Sequence, residues 1–236
     1  MLNSFAPRFV SQLSEKEISG FSGVCYQCHY NDQQYTDADT SRLFGGRFDK
    51  YLERAVVKRK AEFVAGRYLA HQALTQLGAG NASVDVGAHR APLWPDTFIG
   101  SISHSEGFVV CAVGNKNVIK GVGIDVERFI DAETAGKIIN SVLTHSEFYF
   151  TGENIALDAE ILTLIFSAKE SLYKALHPHV GRYFDFKAAA INKIDIITNR
   201  FTIELVEELA PDLPIGTQFE GIFERDSQKV FTAIFW

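Results

Sequence analysis

GVGIDVE, residues 121–127, and FSAKESLYKAL, residues 166–176, decide how this chain is read. In the first stretch apolar and polar residues alternate. Residues two apart in a strand share a face, so Asp125 and Glu127 lie on one side and Ile124 and Val126 on the other. Two neighbouring carboxylates repel unless something positive lies between them, and a hard cation such as Mg²⁺ takes oxygen ligands. The same alternation describes the solvated outer face of an edge strand, and both readings stand on the pattern alone. The second stretch belongs to a helical period over 156–176. Ile161, Leu164, Ile165, Ala168, Leu172, Ala175 and Leu176 form its apolar stripe, and Pro178 is expected to stop it. Phe166, Glu170 and Lys174 follow one another at four-residue spacing, with Lys169 one position aside. Glu170 and Lys174 by themselves make an ordinary ion pair along a helix. Beside the apolar stripe of a mostly buried helix, such charges are seldom idle. If Glu170 joins Asp125 and Glu127, three carboxylates converge. That set, with lysines to neutralise the remainder, suits Mg²⁺ holding a pyrophosphate.

Outward from these stretches, the pattern predicts a strand over 21–30 and a helix over 58–77 that ends at Gly78. A turn-rich segment follows over 78–96. Strand-like runs occupy 100–104, 108–113 and 118–127, with residues 114–117 read as a hairpin turn joining the last two. A short helix is expected over 131–143. Four more strand-like runs come at 188–197, 201–206, 218–223 and 230–235, the second and third separated by Pro211 and Pro214. Each half of the chain thus reads as a long helix followed by antiparallel-looking strands. The expected class is α/β in the α+β sense, with halves at 1–116 and 117–236.

The 236 residues are 46% hydrophobic and 22% charged, which excludes a disordered or low-complexity chain. With 23 basic against 29 acidic residues the net charge is −6, which argues against general nucleic-acid binding. A local basic cluster, Arg54, Lys58, Arg59, Lys60 and Arg67, is nonetheless suited to phosphate. Three cysteines cannot all pair, so a disulfide scaffold is excluded. Cys25 and Cys28 lack a second ligand pair for zinc. The start of the chain, MLNSFAPRFVSQLSEKE, has no signal-peptide pattern, and no apolar run is long enough for a membrane span. A soluble, cytoplasmic protein is expected. GSISHS at 100–105 is not the G-x-S-x-G elbow, and nothing in the spacing supports a Ser103–His104–Asp125 triad. Gly121 and Gly123 lack the third glycine of a dinucleotide fingerprint.

GVGIDVE and FSAKESLYKAL in this order resemble the signature of 4′-phosphopantetheinyl transferases. RKAEFVAGR, PLWP and GSISHS make the chain similar to the enterobactin-synthase component D branch of the surfactin-type class. The resemblance covers about residues 55–177. It implies a monomer of two similar halves related by a pseudo-twofold, each a long helix on a mainly antiparallel sheet, with the active site between them. It implies transfer of the phosphopantetheine arm of coenzyme A to a serine of an acyl, peptidyl or aryl carrier protein. Mg²⁺ would be required and adenosine 3′,5′-bisphosphate released. Asp125, Glu127 and Glu170 would be the Mg²⁺ ligands, with Glu170 also taking the serine proton directly or through water. Lys174 would stabilise or protonate the leaving phosphate, and Lys169 would contact the pyrophosphate. Ser103 and His104 would contact coenzyme A phosphates, and Arg59, Arg67 and Arg90 its phosphate or adenine side. Trp94 and Pro95 would wall the adenine pocket or pack their loop. Residues 128–150 would form a carrier-facing flap, whose Phe148, Tyr149 and Phe150 read equally as contact surface or core.

The same carboxylates would also serve a Mg²⁺-dependent pyrophosphohydrolase of coenzyme A or nucleotides. A non-catalytic carrier-binding subunit is the third reading, and the intact Asp125, Glu127, Glu170 and Lys174 weigh against it. Siderophore, polyketide and fatty-acid carriers are all compatible with these motifs.

Overall fold

The computed structural model describes residues 6–87, 90–150 and 155–236, and their side chains except over 155–158. The first five residues of the N-terminal stretch read above lie outside the described residues. The chain parts into two compact units, Met1–Asn115 and Lys116–Trp236.

In the first unit, strands β1 (Val10–Glu15), β2 (Val24–Tyr30), β5 (Phe98–Ser105) and β6 (Phe108–Asn115) form an antiparallel sheet in the order β1-β2-β6-β5. Helices α1 (Asp37–Phe44), α2 (Asp49–Leu52) and α3 (Val57–Gln76) lie between β2 and a two-stranded ribbon, β3 (Asp85–Val86) with β4 (Pro92–Leu93). Helix α3 packs on β6, β2 and β5. Its residues are buried on every side from Ala61 to Ala70, so Glu62 and Arg67 enter the interior with it. Gly78, at φ 76°, closes the helix in the left-handed conformation that glycine adopts without strain.

In the second unit, β7 (Val122–Arg128) is followed by α4 (Ala132–Val142), a 3₁₀ turn at His145–Phe150 and the long helix α5 (Ile155–Val180). Strands β8 (Ala189–Asp195), β9 (Arg200–Leu205), β10 (Gln218–Arg225) and β11 (Lys229–Phe235) complete a five-stranded antiparallel sheet, β7-β11-β10-β9-β8. Helix α5 lies on β7 and β11. Leu162, Ile165, Leu172 and Leu176 anchor it in a core shared with Ile203, Phe201 and Phe223. The mixed α+β class, with a long helix on an antiparallel sheet in each unit, is as the sequence implies.

The expected hairpin at 114–117 is not one. Strand β6 spends both edges on β2 and β5, so none is left for β7, which pairs with β11 instead. The tight hairpin lies one connection earlier, between β5 and β6. There Glu106 and Gly107 supply the two positive φ values, 37° and 81°, that such a turn needs. Pro178 likewise does not stop α5, which runs on to Val180. A proline this near the end forfeits a single N–H, and Gly181 then closes the helix with its N–H on the His177 carbonyl at 2.9 Å.

Candidate active site

The contact between α5 and β7 builds the first cluster. A Cβ on Gly123 would come 1.8 Å from the Ser171 carbonyl oxygen, and one on Gly121 would come 2.5 Å from that of Ala175. The two glycines therefore let the helix backbone rest directly on the strand, and small residues on the helix, Ser167, Ser171 and Ala175, do the same from their side. Asp125 and Glu127 continue the every-second-residue series of these glycines along β7 and so belong to the helix-facing side. Although β7 is an edge strand, Asp125 is only 2% exposed, which removes the solvated-face reading.

Both oxygens of Asp125 are engaged. Oδ2 accepts from the Ser167 hydroxyl at 2.8 Å, and Oδ1 accepts from Lys174 Nζ at 2.7 Å. Lys174 Nζ also donates to the Ile124 carbonyl at 3.2 Å. Ser167 is fixed in turn by Thr232 of β11, which pairs with Asp125 across the sheet. Glu127 and Glu170 complete the cluster electrostatically. Burial pushes the Glu127 carboxyl up to about 7, with the Asp125 and Glu170 charges adding to it and Lys174 opposing. Burial also raises Glu170, against Lys174, with Asp125 raising it further. Three carboxylates thus share one field with a single lysine, an excess of negative charge that a dication would relieve. The donors are all oxygens, which suits a hard cation. Among the described residues, no three His, Cys, Asp or Glu side chains stand in a ligating arrangement.

Lys169 is not part of that cluster. It is buried, and its Nζ donates to Glu147 Oε2 at 2.6 Å and to the Val142 carbonyl at 2.8 Å. The contact expected with a pyrophosphate is not what this side chain makes, because α5 turns it toward the loop after α4 rather than toward β7.

The first unit carries a second, cationic group. Arg59 Nη1 lies 3.0 Å from His104 Nε2 and 3.5 Å from Glu62 Oε2. Glu62 also accepts from the Tyr30 hydroxyl at 3.1 Å, and His104 Nδ1 stands 3.9 Å from it. Ser103 and His104 are neighbours on β5 and so face opposite ways. Ile102 meets α3 at Gly66, which puts His104 on the α3 side and Ser103, buried, on the other. Arg67 is buried, with its guanidinium 4.6 Å above the Phe63 ring and one nitrogen donating to the Asp85 carbonyl at 3.2 Å. Burial lowers it to about 10, which leaves it cationic at neutral pH. Arg90 is exposed, with a left-handed backbone at φ 66°. Trp94 lies over Gly100, where a Cβ would come 2.6 Å from its ring, so it packs its own loop against β5.

Residues 48–114 match the 4′-phosphopantetheinyl transferase N-terminal domain, and residues 121–231 match the 4′-phosphopantetheinyl transferase superfamily. Enterobactin synthase component D of Salmonella typhimurium is 31% identical over 179 residues, 76% of this chain and 73% of that protein. The chain belongs to the 4′-phosphopantetheinyl transferase family. Two further transferases share it over more of their length. Svp of Streptomyces mobaraensis is 33% identical over 86% of this chain and 83% of its own. PptT of Mycobacterium tuberculosis is 32% identical over 78% and 82%. The matched segments take in the C-terminal strands of this transferase, in which the sequence alone offered no motif.

Three residues of these clusters escaped the sequence reading. Ser167 holds Asp125, Glu62 holds Arg59 and His104, and Glu147 holds Lys169. Only Glu147 had a local signal. Thr144 and Glu147 form the S/T-x-x-E pattern of a capping box. No helix among the described residues is long and apolar enough to cross a membrane.

Proposed function

We propose that this transferase moves the 4′-phosphopantetheine arm of coenzyme A onto a serine hydroxyl of a carrier protein and releases adenosine 3′,5′-bisphosphate. The observation that carries this reading is the shared field of Asp125, Glu127 and Glu170, with Lys174 seated on Asp125. Asp125, Glu127 and Glu170 would hold Mg²⁺, which when bound offsets charge on the pyrophosphate oxygens. Lys174, already lodged among the carboxylates with part of its side chain exposed, would meet the departing phosphate as a donor. Glu170, its carboxyl raised by burial, would receive the serine proton directly or through a water. In the first unit, Arg59 and His104 are the groups suited to coenzyme A phosphates, and Arg67 adds a fixed positive charge beneath them in α3. The 117–236 half would thus carry the metal and the catalytic helix, and the 1–116 half the coenzyme A contacts. Of the flap aromatics, Phe150 packs on the core while Tyr149 is 90% exposed, which leaves Tyr149 and Phe148 as the carrier-side surface.

Relatives named for enterobactin synthesis make siderophore carrier domains the first substrates to try. The test is chromatographic detection of adenosine 3′,5′-bisphosphate from coenzyme A and Mg²⁺, with and without an apo carrier. Release that depends on the carrier is expected. Release at the same rate without it would mean a pyrophosphohydrolase instead.

A further inference from the structure

The loop between α4 and α5 hides a carboxylate that gathers donors from several elements. Glu147 is fully buried and accepts four hydrogen bonds from three parts of the second unit. Oε2 takes the Thr144 N–H at 2.7 Å, the Thr144 hydroxyl at 2.8 Å and Lys169 Nζ at 2.6 Å. Oε1 takes the Ile191 N–H of β8 at 2.7 Å. The Lys169 ammonium is divided between Glu147 and the carbonyl of Val142, the last residue of α4. One carboxylate therefore ties the 3₁₀ turn to α5 and to β8.

Stability is a weak reason for such a pair. A buried ion pair recovers little more than its own desolvation cost, and apolar residues of similar volume often serve the fold as well. What the pair does fix is where a buried ammonium points. Lys169 precedes Glu170 on α5, and the two line one cavity of about 130 Å³ with Tyr173, Phe184, Asp185 and Phe186. The other charges acting on Lys169 are those of Asp185 and Lys187. Without Glu147, the anion left acting on the ammonium is Asp185 in the cavity wall, and Lys169 would be drawn into the space that Glu170 also lines.

We propose that Glu147 is a positioning residue for the transfer reaction, holding the Lys169 ammonium at the α4 end of the cavity so that the space beside Glu170 keeps its shape and charge. This rests on the transferase reading above. Glu147 touches no reacting atom; it acts through Lys169.

Glu147→Gln keeps the size of the side chain and removes its charge, Glu147→Asp keeps the charge, and Lys169→Met removes the partner. Each variant, and the double Glu147→Gln/Lys169→Met, would be assayed for transfer to an apo carrier well below its own melting temperature. Glu147→Gln and Lys169→Met are each expected to lower kcat/KM for coenzyme A by ~10²-fold, the order expected when a group beside the chemistry is misplaced. The double variant should be no worse than the poorer single one, because both remove the same arrangement. Glu147→Asp should keep more activity than Glu147→Gln. Folded variants with wild-type kinetics and only a lower melting temperature would overturn the proposal, as would losses that multiply in the double variant. If Glu147→Gln does not fold, the double variant, which buries no lone ammonium, decides: wild-type rates in it overturn the proposal. A wild-type protein that transfers nothing would instead overturn the transferase reading, and this role with it.

Discussion

Helices α3 and α5 are each laid on an antiparallel sheet, but they approach it differently and carry opposite charge to their polar clusters. At Gly66 of α3 an added Cβ would meet a side chain, the γ2 methyl of Ile102, at 2.9 Å. At Gly123 beneath α5 it would meet backbone, at 1.8 Å. The first contact has a side chain that can yield; the second has none. The charges follow suit. Arg59 and His104 beside α3 keep 44% and 35% of their side chains exposed, and each has neighbours that can share its load. Beside α5, Asp125 is buried, Glu127 and Glu170 are half-buried, and the three act on one another. In the proposed transfer, chemistry that develops charge would use groups that do not reorganise, as in the α5 cluster, whereas a ligand that enters and leaves would be met by the half-exposed Arg59 and His104.

The comparison breaks most readily at the acids. Asp125→Ala or Glu170→Ala should reduce transfer by ~10³-fold or more while the fold persists, as loss of preorganised electrostatic groups does. A folded double variant with transfer near the wild-type rate would contradict it. Gly123→Ala tests the close approach itself. It should cost ~3 kcal/mol of stability or more in denaturant unfolding, because α5 must lift from β7, whereas Gly66→Ala should cost less. Equal costs would erase the distinction between the two helices. Arg59→Met should raise the KM for coenzyme A by about 10-fold with kcat little changed, the usual scale for one charge-assisted hydrogen bond. A fall in kcat instead would move Arg59 from binding to chemistry.

The smallest effect is a dependence of stability on pH. Glu127 titrates near 7 in the fold against 4.5 for an ordinary glutamate. Below 4.5 both folded and unfolded chains hold this proton and nothing is lost. As pH rises through the window to 7, only the folded state keeps it, so stability falls. Glu127→Gln should therefore be more stable than the parent at pH 8 in the presence of chelator and no different near pH 4, as read from denaturant midpoints. A parent and variant that track each other across that range would mean Glu127 carries no such penalty.

Much of this was written in local sequence. The period of two in GVGIDVE put Asp125 and Glu127 on one face, and the period near four in FSAKESLYKAL set Glu170 and Lys174 on one flank, because both signals lie within single elements. What the sequence withheld depended on pairing between distant elements. That β6 has no free edge for β7 follows only once β2 has been added beside it. Strand β1 has no clean alternation, and its register breaks between Ser11 and Ser14. The partners of Lys169 escaped local reading because Glu147 and Val142 stand 22 and 27 residues upstream. Ser167 carries no signal of its own in the sequence, because the aspartate its hydroxyl holds lies on a strand far upstream.

In the proposed function, Asp125 and Glu127 of β7 with Glu170 and Lys174 of α5 serve a metal-dependent transfer to a carrier. Intact-mass analysis of an apo carrier incubated with this protein, coenzyme A and Mg²⁺, with and without chelator, tests it most directly. One added phosphopantetheine arm per carrier, lost on chelation, is the predicted result. A transfer that persists in chelator would contradict the metal's place in the account, and no added mass on siderophore, polyketide or fatty-acid carriers would contradict the transfer itself.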